Sequence, residues 1–134
     1  MIVFIACVKQ KNGEKCKAEN MYISDLFKKS LSYAKKLNPE KIFILSAKYG
    51  VLELDEVIEP YELTLNNMKE VEKKQWALHC LEQLKDKGIK FDEKTVFLCG
   101  ENYRKHLIKE FKNPEVPLKG LGIGQQLSFY KKNI

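Results

Sequence analysis

The stretch FILSAKYGVL, residues 43–52, begins as a buried strand and then changes character within a few positions. Phe43, Ile44 and Leu45 are residue types that favour the interior of a sheet. The next five residues, Ser46 to Gly50, bring a hydroxyl, an ammonium group, a phenol and a glycine to the place where the strand should end. This polar part is either an ordinary exit loop or one wall of a binding site.

Apolar runs alternate with amphipathic helical patterns along the whole chain, which predicts an α/β fold. The predicted buried strands are 2–8, 41–46, 95–100 and 115–118. The predicted helices are 25–37, 69–87, 102–111 and a last one after residues 120–124, with an irregular stretch at 51–68. Because the strands lack strict polar alternation, we expect one domain over 1–134, a three-layer Rossmann-like sandwich with a mostly parallel sheet of about four strands.

Length and composition narrow the class of protein. The chain has 134 residues, with 44% hydrophobic and 31% charged residues, which is ordinary for one globular domain. No apolar run reaches the ~20 residues of a membrane span, so we expect no membrane association. The first apolar run is typical of a strand rather than of a signal peptide, which predicts a cytoplasmic location. The spacing of the four cysteines and of the two histidines suggests neither a metal site nor a cofactor.

The charge of the chain is basic and comes almost entirely from lysine. The formal net charge is +6, from 24 basic and 18 acidic residues, and Arg104 is the single arginine. Arginine is the usual reader of base edges, whereas lysine acts more as a point charge. The composition therefore indicates either a solvated lysine surface or a loose, weak attraction to the phosphates of nucleic acids.

In a parallel sheet the carboxyl ends of the strands share one edge, and ligands bind beyond that edge. Four segments leave the predicted strand ends, namely 9–11, 46–50, 100–104 and 120–126. We expect these four segments to be neighbours in space. The polar residues of SAKYG then stand where a pocket would need them.

Lysines and one glutamate in these segments are candidates for chemistry. Lys9, Lys11 and Lys48 could neutralise phosphates, although solvated surface is the default role of any lysine in such a chain. Lys48, bracketed by a strand and a glycine, could be desolvated and act as a nucleophile toward a carbonyl or nitrile carbon. Glu101 could bind ribose hydroxyls or act as a general base, or it could simply complement a helix dipole.

Three glycines, Gly120, Gly122 and Gly124, precede the last predicted helix. Their main-chain N–H groups could cradle a phosphate or carboxylate, or they could form no more than a tight turn. Their spacing and their position after the last strand differ from the dinucleotide-binding motif, which we therefore exclude.

The segment FILSAKYGVLELDEVIEPYELTL, residues 43–65, resembles a segment of the YaaA superfamily of peroxide stress proteins. That segment contains Leu-Ser, two further residues, Tyr-Gly-Val-Leu and then Pro-Tyr, matched here by Leu45, Ser46, residues 49–52, Pro60 and Tyr61. TVFLCGENYRKHL, residues 95–107, is similar to a later strand of the family that leads into an acidic residue and a tyrosine before a helix.

Nearly the whole chain is similar to a group of short, single-domain relatives of this superfamily whose function is uncharacterised. The counterparts of their motifs are Cys7, Lys9 and Lys11; Tyr22, Ser24 and Phe27; residues 46–52; and residues 120–124. The start of the chain also resembles a domain of archaeosine-synthesis enzymes in which a lysine engages a 7-deazaguanine base.

From the strand-end residues, together with these resemblances, we expect a protein that binds a nucleotide, nucleoside or modified nucleobase at the strand ends, beneath a lid formed by residues 51–67. Whether it also acts on a base or an N-glycosidic bond stays open, as do the ligand's identity and the oligomeric state. Lys48 and Glu101 are the candidate catalytic residues. The candidate ligand-binding residues are Cys7, Lys9, Lys11, Ser46, Tyr49, Gly50, Tyr61, Tyr103, Arg104, Gly120, Gly122 and Gly124.

The alternative is a DNA-binding stress-response protein like the peroxide stress proteins of this superfamily. DNA binding in those proteins is attributed to a helix-hairpin-helix element, and this chain has no room for one between its predicted elements.

Overall fold

A five-stranded, mainly parallel sheet forms the centre of the computed structural model, which describes residues 1–134. The strands are β1 (Ile2–Ala6), β2 (Cys16–Lys17), β3 (Lys41–Ser46), β4 (Gly50–Glu53), β5 (Val57–Ile58), β6 (Lys94–Leu98) and β7 (Asn113–Glu115). The order in the sheet is β4-β3-β1-β6-β7, in which β4 alone runs antiparallel to its neighbour. Strands β2 and β5 form a separate antiparallel pair.

Helices connect these strands, so the architecture is α/β. They are α1 (Ala18–Met21), α2 (Asp25–Lys36), α3 (Glu70–Asp86), α4 (Glu101–Arg104) and α5 (Ile123–Asn133), with short 3₁₀ turns at Leu65–Asn67 and Ile108–Glu110. None of the helices combines the length and the apolar character that crossing a bilayer would require.

The middle of the sheet is held by aromatic residues in register. Phe4 of β1 is paired with Phe43 of β3 on one side and with Phe97 of β6 on the other. The three rings are stacked, with centroids 5.8 Å and 5.2 Å apart. All three rings are fully buried within one continuous core of 33 residues. Cross-strand pairs of this kind fix the strand register, because a slip of one residue would turn every ring to the other face.

Two predicted helix ends are confirmed in detail. The Ser24 hydroxyl accepts the main-chain N–H of Phe27 at 3.1 Å and so caps the start of α2. Gly88 follows α3 with a φ of 74°, and the N–H groups of Gly88 and Ile89 donate to the carbonyls of Lys85 and Leu84. This pattern is the usual glycine termination of a helix.

The sheet has five strands instead of the four that we expected, because residues 50–53 are a strand rather than irregular chain. The run GVLE has only four residues, begins with a glycine and precedes charged residues, so its apolar pattern was too weak to predict a strand. The last predicted strand was also misplaced, since β7 occupies 113–115 rather than 115–118.

Two further sequence predictions were wrong. The predicted helix 102–111 is broken into α4, a turn and a 3₁₀ turn. The amphipathic pattern of 69–87 also predicts that Val71 and Leu78 face the core, but in α3 they are 59% and 61% exposed.

The amide side chain of Gln83, in α3, holds the chain where it reverses between β3 and β4. Its Nε2 donates to the carbonyl of Tyr49 at 3.0 Å, and its Oε1 accepts the N–H of Val51 at 2.8 Å. Between these two residues, Gly50 has a φ of 77°, and a Cβ built there would clash with Gln83 Oε1. Gly50 is therefore required both for its left-handed backbone and for the space that it leaves to Gln83.

We predict that Gly50→Ala lowers the free energy of unfolding by about 2 kcal/mol or more, because it combines left-handed strain with a clash. Gly88→Ala is the matched control: its φ is also positive, but no atom lies within 4 Å of the added Cβ. It should cost about 1 kcal/mol from strain alone. Denaturant unfolding measures both, and equal losses would show that Gln83 does not constrain the turn.

Candidate functional site

The carboxyl ends of β1, β3 and β6 lie side by side at one edge of the sheet. Cys7 extends β1 beyond its last paired residue and donates its main-chain N–H to the carbonyl of Leu45 at 2.9 Å. The chain segments that leave these strands therefore start close together. Three side chains at this edge, Ser46, Tyr61 and Tyr103, make the hydrogen bonds that organise it.

Ser46 is the residue on which these bonds converge, and it is fully buried. Its Oγ accepts the N–H groups of Tyr49 at 3.0 Å and Lys48 at 3.3 Å, which shapes the turn after β3. The same hydroxyl donates to the Tyr61 hydroxyl at 2.7 Å. The Ser46 carbonyl accepts the indole N–H of Trp76 at 2.9 Å. The serine that ends this apolar strand is thus a joint between the strand, the turn, α3 and the segment that contains Tyr61.

The hydroxyls continue from Tyr61 to Tyr22. Their oxygens are 2.7 Å apart, and both rings are buried, with Tyr22 also packed on Phe27. Desolvation by burial is the main cause that raises the pKa of both phenols above their ordinary value, and the nearby Cys7 thiol adds to the effect. At neutral pH both tyrosines therefore carry their hydrogens and can act as hydrogen-bond donors.

Tyr103, in α4, performs a similar role at the end of β6. Its hydroxyl accepts the Cys7 thiol hydrogen at 3.4 Å and the N–H of Leu65 at 3.3 Å, and it lies 3.4 Å from Thr64 Oγ1. Its ring meets the Trp76 ring edge-on, with centroids 5.8 Å apart. Burial raises the pKa of this phenol as well. Tyr103 therefore ties the β6 end to the β1 end and to the chain that precedes α3.

The stretch predicted as a lid, 51–67, is more firmly held than a loop would be. Its first residues form β4, and β5 pairs with β2. Two of its own residues, Tyr61 and Leu65, are buried, at 8% and 0% exposed. Its exposed residues include Val57, Pro60, Glu62 and Leu63. The prediction of a separate irregular lid is wrong for its first part, where β4 extends the sheet beside β3.

Lys9, Lys11 and Lys48 stand at this edge, and none of them is paired with a carboxylate. The lysines that form ion pairs lie elsewhere and are Lys29, Lys41, Lys73, Lys87, Lys94 and Lys105. The Lys11 ammonium lies 4.6 Å from the centroid of the Tyr61 ring, which is a cation–π contact. The Lys48 ammonium lies 5.3 Å from the centroid of the Tyr49 ring. Lys48 is exposed, so the burial that would activate it as a nucleophile is absent.

An open depression of about 310 Å³ lies beside these lysines. It is lined by Lys9, Lys11, Asn12, Gly13, Pro60, Tyr61 and Glu62. Two segments that are distant in sequence, the one after β1 and the one after β5, form its two sides. The volume lies at the lower end of the range of small-molecule sites.

The remaining candidate residues are arranged differently. Glu101 is the exposed first residue of α4, and its side chain makes no hydrogen bond or ion pair. Arg104 points inward, where it donates to the carbonyl of Cys99 at 2.8 Å and so closes the end of β6. No group of three or more His, Cys, Asp or Glu side chains is gathered as a metal ion would require.

The glycine segment 120–124 is not joined to the other three segments by any hydrogen bond. Gly122 donates to the side chain of Gln125 at 2.9 Å, and Leu121 donates to Leu118 at 3.0 Å, so the turn is closed locally. Gly120 has a φ of 80°, which favours glycine. The site thus connects three of the four segments that we expected to meet.

Comparison with known families gives one result for the chain. A family model matches residues 2–132, and its description is a family of unknown function, DUF6884. The chain belongs to the DUF6884 family. No curated protein and no solved structure matches it. For this DUF6884 protein, function has to be argued from the site itself.

Sequence reasoning missed three side chains that organise the site of this DUF6884 protein: Tyr22, Trp76 and Thr64. Tyr22 had been noted only as part of a motif. Trp76 is the single tryptophan of the chain, and the helical pattern of 69–87 predicts it only as a core residue. It is buried, but its indole N–H also donates to the carbonyl of Ser46. A lone tryptophan in an amphipathic helix was the available signal.

We predict that stability is lost on the alkaline side. The pKa values of Tyr22, Tyr61, Tyr103 and Tyr130 are raised in the fold, mainly by burial. Their contribution to stability is therefore complete below pH ~10, the pKa of an unfolded tyrosine, and falls as the pH rises above it. Ultraviolet absorbance of phenolate and circular dichroism should show these four phenols ionising only together with unfolding. Ionisation of all six tyrosines while the fold persists would contradict the burial.

Proposed function

We propose that this protein binds a nucleotide, nucleoside or modified nucleobase at the carboxyl edge of its sheet. The observation that carries the proposal is a set of unpaired ammonium groups beside tyrosine rings at the edge where ligands bind in such sheets. Lys9, Lys11 and Lys48 would neutralise the anionic part of the ligand. The half-buried ring of Tyr49 offers an aromatic surface on which a base could stack.

Binding is favoured over chemistry by the exposure of the two candidate catalytic residues. Lys48 and Glu101 are both exposed, and neither is held by a neighbouring acid or base. An action on an N-glycosidic bond would need one of them to be enclosed by the ligand or by a movement of the chain. We therefore propose that the protein sequesters or transports its ligand, in preference to proposing that it converts the ligand chemically.

We further propose a three-layer arrangement with helices on both faces of the sheet. The chain runs from β1 through α2 to β3 and then, after β4 and β5, through α3 to β6. These two crossovers take opposite directions along the strand order. Crossovers between parallel strands are nearly always right-handed, which would place α2 and α3 on opposite faces.

A second candidate function is DNA binding in a stress response, as the resemblance of residues 43–65 to the YaaA superfamily suggests. The net charge of +6 favours it, since lysines attract phosphates without reading bases. This function would use the surface of the protein rather than the depression.

We predict that native mass spectrometry of the freshly purified protein detects a bound nucleotide-like molecule. The same molecule, added back, should raise the melting temperature, because a ligand of the folded state stabilises it. The double variant Lys11→Met/Lys48→Met should lose the bound mass, whereas Lys74→Met, at an exposed and unpaired position of α3, should keep it. Retention by the double variant would refute a site at this edge.

Salt separates the two candidate functions. Duplex affinity carried by several lysines should fall steeply between low and moderate salt, whereas pocket binding of a mononucleotide should fall much less. Fluorescence anisotropy with labelled duplex and labelled mononucleotide measures both. A duplex affinity that does not change with salt would contradict the DNA-binding candidate.

A further inference from the structure

The helix α3 carries apolar side chains on two opposite sides. Trp76, Cys80 and Leu84 are buried on the side that packs on the protein. Val71 and Leu78 lie on the other side, two turns and about 10 Å apart on one line along the helix, and are 59% and 61% exposed. A single exposed apolar residue is ordinary, but these two form a stripe that the rest of the chain leaves uncovered.

Three charged residues share this side of α3 with the apolar stripe. Lys74 lies one turn before Leu78, Glu82 lies one turn after it, and Lys85 lies two turns after it. All three are exposed, and none of them forms an ion pair within the protein. We call Val71, Lys74, Leu78, Glu82 and Lys85 the outer face of α3.

The outer face is complementary to itself when two copies of α3 meet in antiparallel directions. A two-fold axis at Leu78 sets each residue before it opposite the residue that is equally far after it in the second copy. Lys74 then faces Glu82 of the second copy, and this pair of opposite charges forms twice. Val71 faces Lys85, whose methylene stem can cover the valine methyl groups.

A parallel pair of helices lacks this complementarity. It would set Lys74 against Lys74 and Glu82 against Glu82, and like charges at these positions repel. The antiparallel direction also opposes the dipoles of the two helices, which is favourable. The charges of the outer face therefore specify both the partner, a second copy of the chain, and its direction.

We propose that two copies of this chain associate through the outer face of α3 as an antiparallel, two-fold symmetric pair centred on Leu78. A single helix pair covers less than the ~1,200 Å² of stable complexes, so the dimer is weak and forms at high concentration. None of the residues that line the depression lies in α3, so each copy keeps that depression open. The inference is therefore independent of the proposed function.

Sedimentation velocity of the full chain between ~10 μM and ~1 mM tests the inference in the range expected of a weak interface. Leu78→Ala should weaken the dimer at least ~10-fold, because it removes an apolar side chain from both copies at the centre of the contact. Ile123→Ala is the matched control. Ile123 is 67% exposed in α5, outside the outer face, so the dimer should be unchanged.

Charge reversal tests which residues face each other. Lys74→Glu and Glu82→Lys should each weaken the dimer at least ~10-fold, because each variant sets like charges opposite each other twice. The double variant Lys74→Glu/Glu82→Lys restores opposite charges and should regain an affinity within ~3-fold of the unchanged chain. Circular dichroism checks that the variants are folded, as the exposure of both positions leads us to expect.

Disulfide cross-linking tests the direction of the two helices. The background variant is Cys16→Ser, because the other three cysteines are buried. Leu78→Cys should form a cross-linked dimer, since residue 78 faces its own copy at the axis. Val71→Cys should not, because the two copies of residue 71 would lie ~21 Å apart, beyond the reach of a disulfide.

Each outcome supports or overturns the proposal. Loss of the dimer in Leu78→Ala and in both single charge reversals, with recovery in the double variant, would support it. A chain that stays monomeric at ~1 mM would overturn it and leave the outer face to solvent or to a different protein. A dimer that Leu78→Ala leaves unchanged, or that cross-links equally through residues 71 and 78, would overturn it as well.

Discussion

The hydrogen bonds of one buried serine hold the carboxyl edge of this sheet together. Ser46 ends the strand next to the centre, and its hydroxyl and carbonyl reach the turn after that strand, Tyr61 and Trp76. A polar residue at 0% exposure is unfavourable unless its hydrogen bonds are made, and here they are made to three different parts of the chain. The hydrogen bonds of Ser46 therefore fix the positions of the turn, Tyr61 and Trp76, and with them the shape of the edge.

The acidic residues with the most ion-pair partners lie away from the three lysines of this edge. Glu53 pairs with Lys41 and Lys87, and Glu70 pairs with Lys73 and Lys105, all away from Lys9, Lys11 and Lys48. Exposed ion pairs of this kind contribute little to the stability of the fold. Many lysines have no ion pair, and two of these, Lys11 and Lys48, stand beside Tyr61 and Tyr49, where a charged ligand would gain from them.

The central fold was predictable from the sequence because it depends on pattern. The runs around Phe4, Phe43 and Phe97 are apolar for the length of a strand, and helical patterns separate them, so the parallel core follows. β4 was not predictable in this way. It is four residues long, and its place is fixed by Gly50 and by a hydrogen-bonded contact with Gln83, more than thirty positions later.

The site was predictable in outline for a similar reason. Parallel strands bring their carboxyl ends to one edge, and this placed Ser46 near Tyr103 and Lys11 without any knowledge of side chains. The hydrogen bonds that lead from Ser46 through Tyr61 to Tyr22 depend on how the rings pack. The spacing of residues along the sequence does not reveal this packing. The role of Ser46 differs from the simplest expectation, because it builds the wall of the site rather than facing a ligand.

A double-mutant cycle on Ser46→Ala and Tyr61→Phe tests the central claim most directly. Each single variant should lower the free energy of unfolding by about 1–2 kcal/mol, and the double variant should lose about 1 kcal/mol less than their sum, because both remove one shared hydrogen bond. Losses that add to within about 0.3 kcal/mol would show that the two hydroxyls are not coupled, and the account of this edge would then be wrong.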